Sequence, residues 1–448
     1  MSAVWDQALT TIRDNHDEPR PAPRQAHAHD QRREEPLPAP RQARAHDLGS
    51  QTMSAAWDQA LATIRDNVAA FGPRFPATCS QHNNYGVREP HLGLPAGNNT
   101  DWTTGFRTGW LWLASEATGD GRLLRAAQVD VRSFVDRIDR AIDVDTHDLG
   151  FLYTPSCVAA WALDGDVDGG RAAIKAADAL LARVVEPAGI VQAWGDLDDQ
   201  AQRGRTIIDS LMNMPLLWWA TVATGDPTYA DKARRHVTQL ATHIVRQDNT
   251  TFHTFWWDPA TGEPLRGTTE QGFSDSSCWA RGQAWGVYGF ALNHAWATGR
   301  RPGATADESF LDAARRCADY YLAHLPDDLV PCWDLAFSDG SGEPRDSSAA
   351  AIAACGLFQL ADLVGPGPEQ DRYRSAATRT VESLAARYAP DPDRSNALLL
   401  HGVYDMPKRV GVDEANLWGD YFYAEALMRV SNPDWSPYWL AGRQEGTP

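Results

Sequence analysis

The 448-residue chain is poor in basic residues, since 41 Lys and Arg face 59 Asp and Glu and leave a formal net charge of −18 at pH 7. A balance of this sign argues against a nucleic acid or an anionic membrane as a partner. It also means that an anionic substrate would need local Arg or His side chains to offset the overall field. The composition therefore predicts no nucleic-acid partner and no membrane partner.

Cysteine and long apolar runs are also scarce. No stretch approaches the roughly 18 apolar residues of a membrane-spanning helix, and the N-terminus lacks the basic-then-apolar layout of a signal peptide. The cysteines show neither a C-x-x-C pair nor metal-ligand spacing, so we interpret them as reduced structural thiols and expect a cytoplasmic protein. They are Cys79, Cys157, Cys278, Cys317, Cys332 and Cys355.

Tryptophan is abundant, with 18 residues in a chain that is 43% hydrophobic. Buried Trp is an ordinary core residue. A surplus of this size also suits a sugar-binding cleft, where indole faces stack on the C–H faces of pyranose rings. Composition alone leaves both interpretations open.

The N-terminal segment is duplicated. Residues 1–15 nearly recur as residues 53–67, and the intervening Pro-, Arg-, Ala- and His-rich sequence also repeats. Such a composition cannot build a packed core. We therefore expect residues 1–52 to be a largely disordered extension, with a possible helix over 3–14, and residues 53–448 to form the catalytic domain.

From Trp57 onward one pattern recurs: an apolar helix end, a Gly-containing turn, then a new amphipathic helix. With the first and last helices, this pattern predicts about six helix pairs and an all-α protein, with strand signals confined to short links such as FLYT and TFHTFWW. Uneven spacing and links rich in Trp, His and Asp favour a closed (α/α)6 barrel over an open solenoid. The turn glycines are Gly119, Gly165, Gly225, Gly299 and Gly365.

Two aspartates stand out as candidate catalytic residues. Asp209 interrupts the apolar run Ile-Ile-Asp-Ser-Leu-Met, and a carboxylic acid held in such a setting keeps its proton more readily, as a general acid requires. Asp148 precedes Leu-Gly-Phe on the preceding link. Together they could form the carboxylate pair that glycoside chemistry commonly uses. Taken alone, Asp148 is explained equally well by a turn or helix cap, and for Asp209 helix capping is the favoured interpretation.

Several further residues could bind a sugar. Arg281 lies in Trp-Ala-Arg-Gly-Gln-Ala-Trp, and burying its guanidinium requires a carboxylate from the protein or from a uronate ligand. His253, flanked by two Phe, is either a core histidine or a substrate donor. Because His147, His253 and the acids lack typical zinc spacing, we expect no metal and no cofactor. Trp102, Trp194 and Trp285 are candidates either for stacking walls or for the core.

Taken together, the segments DWTTGF, HDLGF, IIDSLMN, RGQAW, DSSAAAIAA and WGDY resemble, in order, those of the unsaturated glucuronyl hydrolases of glycoside hydrolase family 88. The resemblance covers about residues 85–430. It implies an (α/α)6 barrel that releases the non-reducing terminal 4,5-unsaturated glucuronic acid from lyase-generated glycosaminoglycan-type oligosaccharides by hydrating the C4=C5 bond. It implies Asp209 as general acid and base and Asp148 as the second essential acid. The residues implied to contact the uronate are Trp102, Trp194, His253, Gln271, Arg281 and Trp285.

One segment departs from the family pattern. Some members bind sulfated substrates through a Ser-x-x-Ser-x-Lys loop, where this chain reads Asp405-Met-Pro-Lys-Arg-Val410. We therefore expect a preference for unsulfated fragments. The alternative enzyme is an unsaturated rhamnogalacturonyl hydrolase, and a sugar-binding protein without activity and an epimerase are further options. The sequence is compatible with a monomer or a small homo-oligomer.

Overall fold

Helices dominate the protein in a computed structural model that describes residues 41–299 and 308–442. They alternate along the chain between segments buried on all sides and segments with one exposed face. This alternation confirms the predicted all-α class.

Six helical segments form an inner ring whose side chains are almost all buried. They are α2 (Thr104–Thr118), α4 (Leu149–Tyr153) running through a π-helical turn (Thr154–Val158) into α5 (Ala159–Asp164), α7 (Met214–Thr224), α9 (Ala280–Thr298), α11 (Ser347–Val364) and α13 (Leu417–Ser431). Helix α9 is buried from Ala280 to Ala297. A helix of this kind needs no polar face because other helices surround it.

Six amphipathic helices form the outer ring, each paired with an inner segment. They are α1 (Arg41–Phe71), α3 (Gly121–Asp139), α6 (Val167–Ala182), α8 (Pro227–His243), α10 (Glu308–Ala323) and α12 (Pro368–Arg387). In α3 the buried residues Leu123, Ala127, Val131 and Phe134 recur at three- and four-residue spacing. That spacing places them on one helix face, which packs on the inner ring.

The inner ring closes on itself. The last inner helix, α13, packs against the first, α2. Gly109 of α2 lies so close to the ring of Tyr421 that a Cβ at this position would overlap it. This contact confirms the closed barrel and excludes the open solenoid.

The predicted glycine turns form as expected in three pairs, where a left-handed glycine ends the inner helix. Gly119 has φ 66°, and the following Asp120 accepts a hydrogen bond from the backbone N–H of Arg122 and so caps α3. The Gly165 and Gly225 turns repeat this arrangement. Gly299 differs, because its φ is −57° and α9 ends without a left-handed residue.

The strands are short antiparallel pieces within the links. The prediction of a strand near TFHTFWW is confirmed, but FLYT is helical in α4 and the π turn because these residues are buried within the inner ring. Three small sheets have the orders β1-β2, β3-β4-β5 and β6-β7. Their strands are β1 (Val184–Val185), β2 (Ile190–Val191), β3 (Arg205–Ile207), β4 (Thr254–Trp257), β5 (Pro264–Thr268), β6 (Gly402–Asp405) and β7 (Val410–Glu414).

The first helix begins before residue 53, where we expected the folded domain to start. Helix α1 begins at Arg41, so residues 41–52, which we expected to be disordered, are helical. A helix-forming segment before Met53 can simply continue the helix that follows it. Residues 1–40, with the predicted helix over 3–14, lie outside the described residues.

Helix α11 is long and apolar enough to cross a membrane by length and composition. In the barrel 83% of it is buried against other helices. Its apolar character is therefore explained by its place in the inner ring.

Candidate active site

A pocket lies at the end of the barrel where the inner helices begin. The links preceding these helices form its walls, and its cavity volume is about 80 Å³. Seven of the eight predicted site residues line it, all except His253. The lining residues are Trp102, His147, Asp148, Trp194, Ile207, Asp209, Gln271, Trp279, Arg281, Trp285 and Tyr404.

Asp209 is carried by a short 3₁₀ turn, Ile208–Met212, between β3 and α7. The turn packs against α9, where Asn293 Nδ2 donates to the carbonyl of Leu211 at 2.9 Å. Gly289 allows this approach, because a Cβ there would overlap the side chain of Leu211. Within the described residues no backbone N–H donates to the Asp209 carboxylate, and its Oδ1 is buried without a hydrogen-bond partner. The capping interpretation of Asp209 is therefore wrong.

Asp148 occupies the N-cap position of α4, but its side chain does not cap the helix. The carboxylate accepts a hydrogen bond of 3.3 Å from the hydroxyl of Thr146 instead. Because it is buried, its charged form is costly. Neither acid is used for helix capping, so both carboxylates face the pocket.

His147 lies between the two acids. Its Nε2 is 3.4 Å from Oδ1 of Asp148 and 3.4 Å from Oδ1 of Asp209. Burial opposes protonation of His147, but the adjacent carboxylates outweigh it and raise the pKa of the imidazole. Burial raises the pKa of the Asp148 carboxyl to about 6, with His147 opposing and the charge of Asp209 reinforcing the shift. The protonation of Asp148 is therefore linked to that of His147.

The same three side chains could also hold a cation. Their ligand atoms lie within 4.8 Å of one another. Within the described residues no other cluster of His, Cys, Asp or Glu side chains has this geometry. One imidazole and two carboxylates form an acceptable ligand set for a divalent metal. A bound metal would require His147 to be neutral, against the raised pKa of its imidazole. The expectation of a metal-free site stays a prediction.

Arg281, at the start of α9, has a carboxylate partner in the protein. Its Nη1 donates to Asp346 Oδ2 at 2.9 Å, and its Nη2 donates to Gln271 Oε1 at 2.9 Å and to the carbonyl of Tyr404 at 2.6 Å. The guanidinium also lies 4.4 Å from the ring centroid of Trp279. Of the two partners that the sequence allowed for Arg281, a protein carboxylate is thus confirmed at Nη1. Arg281 nevertheless lines the pocket.

His253 lies just behind the pocket wall and is held in one tautomer. Its Nδ1 accepts hydrogen bonds from the backbone N–H groups of Glu270 (3.0 Å) and Gln271 (3.2 Å). The proton of the neutral ring is therefore on Nε2, which is buried without a partner. Burial, with the charges of Arg281 and Arg205, lowers the pKa of His253 well below its usual value. His253 is thus a neutral donor.

The three predicted tryptophans occupy different environments. Trp285 lines the pocket but is almost fully buried among aromatic rings, 5.3 Å from the ring of Phe151. Trp102 is partly buried and stacks on Trp418 at 5.0 Å. Trp194 is likewise partly buried, and the guanidinium of Arg205 supports its ring at 4.4 Å. Trp102 and Trp194 are therefore better placed as stacking walls than Trp285.

A sequence model of Glycosyl Hydrolase Family 88 matches residues 76–391. The unsaturated chondroitin disaccharide hydrolase of Streptococcus pyogenes is 42% identical over 394 residues, which are 88% of this chain and 94% of the relative. The unsaturated glucuronyl hydrolase of Bacillus sp. is 40% identical over 393 residues, 86% of this chain and 100% of the relative. The chain belongs to glycoside hydrolase family 88.

Solved structures of family 88 enzymes share the fold. The unsaturated glucuronyl hydrolase from Streptococcus agalactiae superposes with a TM-score of 0.81 at 42% identity, covering 87% of this chain and 94% of that chain. A variant of the same enzyme, complexed with dGlcA-GalNAc6S, superposes with a TM-score of 0.74 at 40% identity, covering 86% and 93%. These similarities confirm the (α/α)6 barrel and identify the chain as a glycosidase.

Sequence reasoning did not identify four residues of this family 88 pocket as site residues, namely His147, Ile207, Trp279 and Tyr404. His147 was considered only as a metal ligand, although its position beside Asp148 could have suggested contact with the acids. Trp279, two residues before Arg281, could also have been found from the local motif. Tyr404 lies on the β6–β7 hairpin, and no local signal places that hairpin beside the pocket.

Proposed function

We propose that this family 88 enzyme removes the non-reducing terminal 4,5-unsaturated glucuronic acid from glycosaminoglycan-type oligosaccharides by hydrating the C4=C5 bond. The observation that carries this proposal is the pair of uncapped acids around His147 in a Trp-lined pocket. The relatives named for unsaturated chondroitin and glucuronyl substrates support the substrate class. They favour it over the rhamnogalacturonyl alternative, which would use the same hydration chemistry.

In the proposed reaction Asp209 donates a proton to C4, and positive charge develops at C5 and the ring oxygen. A water molecule then adds to C5 and returns a proton to Asp209. The hemiketal opens by breaking the bond between C5 and the ring oxygen. The hemiacetal left at C1 then releases the aglycone, so no nucleophile attacks C1.

The acid cluster suits this sequence of steps. The starting state needs one proton on the carboxylate pair, and the raised pKa of the Asp148 carboxyl, about 6, makes this pair hold a proton at higher pH than an ordinary aspartate would. The charge of His147 lies 3.4 Å from both acids and stabilises the deprotonated form after transfer. We assign Asp209 as the proton donor and Asp148 as the group that adjusts its protonation.

The uronate would lie between Trp102 and Trp194, with its carboxylate toward Gln271 and Arg281. Arg281 supplies positive charge at the pocket, although Asp346 neutralises part of it. The neutral His253 would donate a hydrogen bond from Nε2. Binding of an anion in a protein with a net charge of −18 therefore depends on these few side chains.

Sulfate should add little to binding. At the β6–β7 hairpin, Asp405 accepts hydrogen bonds from the backbone N–H of Lys408 at 3.0 Å and from its Nζ at 2.9 Å. The lysine charge is thus paired with a buried carboxylate, and a sulfate would have to compete with it. This arrangement supports a preference for unsulfated fragments.

The ultraviolet absorbance of the conjugated double bond tests the reaction. We expect the protein to abolish this absorbance with unsaturated chondroitin or hyaluronan disaccharide, and to act poorly on unsaturated galacturonyl-rhamnose. Unchanged absorbance with the glucuronyl disaccharides would contradict the proposal. Faster turnover of the galacturonyl-rhamnose substrate would favour the alternative enzyme.

We further propose that the protein acts in the cytoplasm on an oligosaccharide, as a monomer or small homo-oligomer, without a nucleic-acid or membrane partner. The net charge of −18 and six unpaired cysteine thiols, most of them buried, support this setting. Cell fractionation and sedimentation velocity would check location and oligomeric state. Recovery in the membrane fraction would contradict the proposal.

A further inference from the structure

An exposed aromatic ring, that of Phe273, follows the pocket-lining residue Gln271 by two positions. Within the described residues six large apolar side chains are exposed, and Phe273, at 61%, is the only aromatic one among them. Single exposed aliphatic side chains are normal on a protein surface and need no special explanation. An exposed phenyl ring at the mouth of a sugar-binding pocket is different, because its face can stack on a sugar.

The ring of Phe273 is part of a cluster. It meets Phe337 edge to face at 5.0 Å and lies 6.4 Å from Trp333. Trp333 is buried, and its Nε1 donates to Glu343 at 2.8 Å. Phe273, Trp333 and Phe337 therefore form a small apolar surface, the rim aromatic cluster, with a fixed base.

The loop that carries Phe273 is held by its own hydrogen bonds. The backbone N–H of Phe273 donates to Asp334 Oδ2 at 2.9 Å, and that of Gly272 donates to the Thr269 hydroxyl at 2.8 Å. The backbone N–H of Thr269 donates to Asp275 Oδ1 at 2.7 Å. Little conformational entropy should therefore be lost when a ligand contacts the ring.

The cluster is continuous with the pocket. Trp279, which lines the pocket, pairs through the backbone with Asp334 in an antiparallel bridge, so the two loops of the cluster form one ribbon. Gly272 lies against Trp279, since a Cβ there would be 3.2 Å from the Trp279 Cβ. Gln271, two residues before Phe273, also lines the pocket. An oligosaccharide leaving the pocket on this side would meet the ring next.

We propose that the rim aromatic cluster is a binding subsite for the sugars that follow the terminal uronate, with Phe273 stacking on the face of a hexosamine-type pyranose. This inference rests on the proposed function. The occupant of this cluster is a sugar of the substrate and not a partner protein, because a protein covering Phe273 would block substrate entry at the pocket mouth. The ring is uncharged, so it can contact an anionic oligosaccharide through an uncharged sugar face.

Substrate length provides the test. The assay compares the methyl glycoside of 4,5-unsaturated glucuronate with the unsulfated unsaturated chondroitin tetrasaccharide, in the wild-type protein and in Phe273→Ala. We expect kcat/KM for the tetrasaccharide to fall about three- to tenfold, the contribution of one aromatic stack. The methyl glycoside should be unaffected, and Phe273→Trp should restore the tetrasaccharide value.

Leu163→Ala is the matched control, because this side chain is 41% exposed near the end of α5, away from the pocket. It should leave both substrates unchanged. An unchanged tetrasaccharide value in Phe273→Ala, or an equal loss with the methyl glycoside, would overturn the subsite. A change in oligomeric state without a length-dependent loss would overturn it too. Failure of the wild-type protein to act on either substrate would instead refute the proposed function.

Discussion

Asp148→Asn should stabilise the protein while it impairs catalysis. Burial raises the pKa of this carboxyl from 3.8 to about 6, so its ionised form is disfavoured in the folded state. A difference of about two pH units corresponds to a cost of about 3 kcal/mol once the group is ionised in both states. Asparagine carries no charge and avoids this cost.

The sign of the effect fixes its pH dependence. A carboxyl group with a raised folded-state pKa favours folding fully below its unfolded pKa, and this contribution is lost as pH rises through about 6. The stability gain of Asp148→Asn should therefore be absent near about pH 4 and reach up to about 3 kcal/mol near about pH 8. Urea unfolding at both pH values measures it.

Asp136→Asn is the control, because that side chain is 58% exposed on the surface of the barrel. It should change stability by less than about 0.5 kcal/mol at either pH. In the same Asp148→Asn protein, kcat should fall by about 100-fold or more. A variant that is no more stable at the higher pH, or one whose gain is the same at both, would refute the electrostatic reasoning.

Asp346→Ala should destabilise the protein by about 3–5 kcal/mol in urea unfolding, because it leaves the buried Arg281 without its carboxylate. Asp168→Ala, which removes the exposed partner of Arg171, should cost less than about 1 kcal/mol, and equal costs would contradict the burial argument. Lys408→Ala should change the ratio of kcat/KM for 6-sulfated and unsulfated chondroitin disaccharide by less than about threefold, since Asp405 already pairs the lysine. A wild-type preference for the sulfated disaccharide would overturn that expectation. Gly289→Ala should lower kcat by about 10- to 100-fold with little change in KM, because the added Cβ displaces the turn that carries the general acid; an unchanged kcat would refute this.

Much of the fold follows from local sequence. The Gly-Asp turns at 119–120, 165–166 and 225–226 end one helix and cap the next through backbone geometry that those residue types prefer. The spacing of apolar residues in α3 and the uniformly apolar α11 indicate outer and inner helices. Local signals failed at FLYT, whose strand-forming residues are helical because the inner ring surrounds them.

The site was only partly accessible from sequence. The positions of Asp148 and Asp209 on successive links predicted that they would meet, and the structure brings both to His147. Whether either acid capped a helix depended on side-chain direction, which spacing does not determine. The contact of Arg281 with Asp346 joins residues 65 positions apart, and that of Tyr404 with the pocket depends on how a distant hairpin packs. Such pairings arise from tertiary structure.

The location of the raised carboxyl pKa is a further difference. The sequence around Asp148 did not single it out for a raised pKa, whereas its burial beside His147 raises the pKa of this carboxyl to about 6. The burial of the Asp148 carboxylate depends on the opposite wall of the pocket, which local sequence does not report.

A rapid-quench single turnover tests the central claim most directly. Ultraviolet absorbance of the C4=C5 bond and released aglycone would be followed together, with unsaturated chondroitin disaccharide, in the wild-type protein and in Asp209→Asn. The account predicts that absorbance is lost before or together with aglycone release in the wild type, and that both signals slow by about 100-fold or more in the variant. Aglycone released while the double bond persists, or near wild-type turnover by Asp209→Asn, would contradict it.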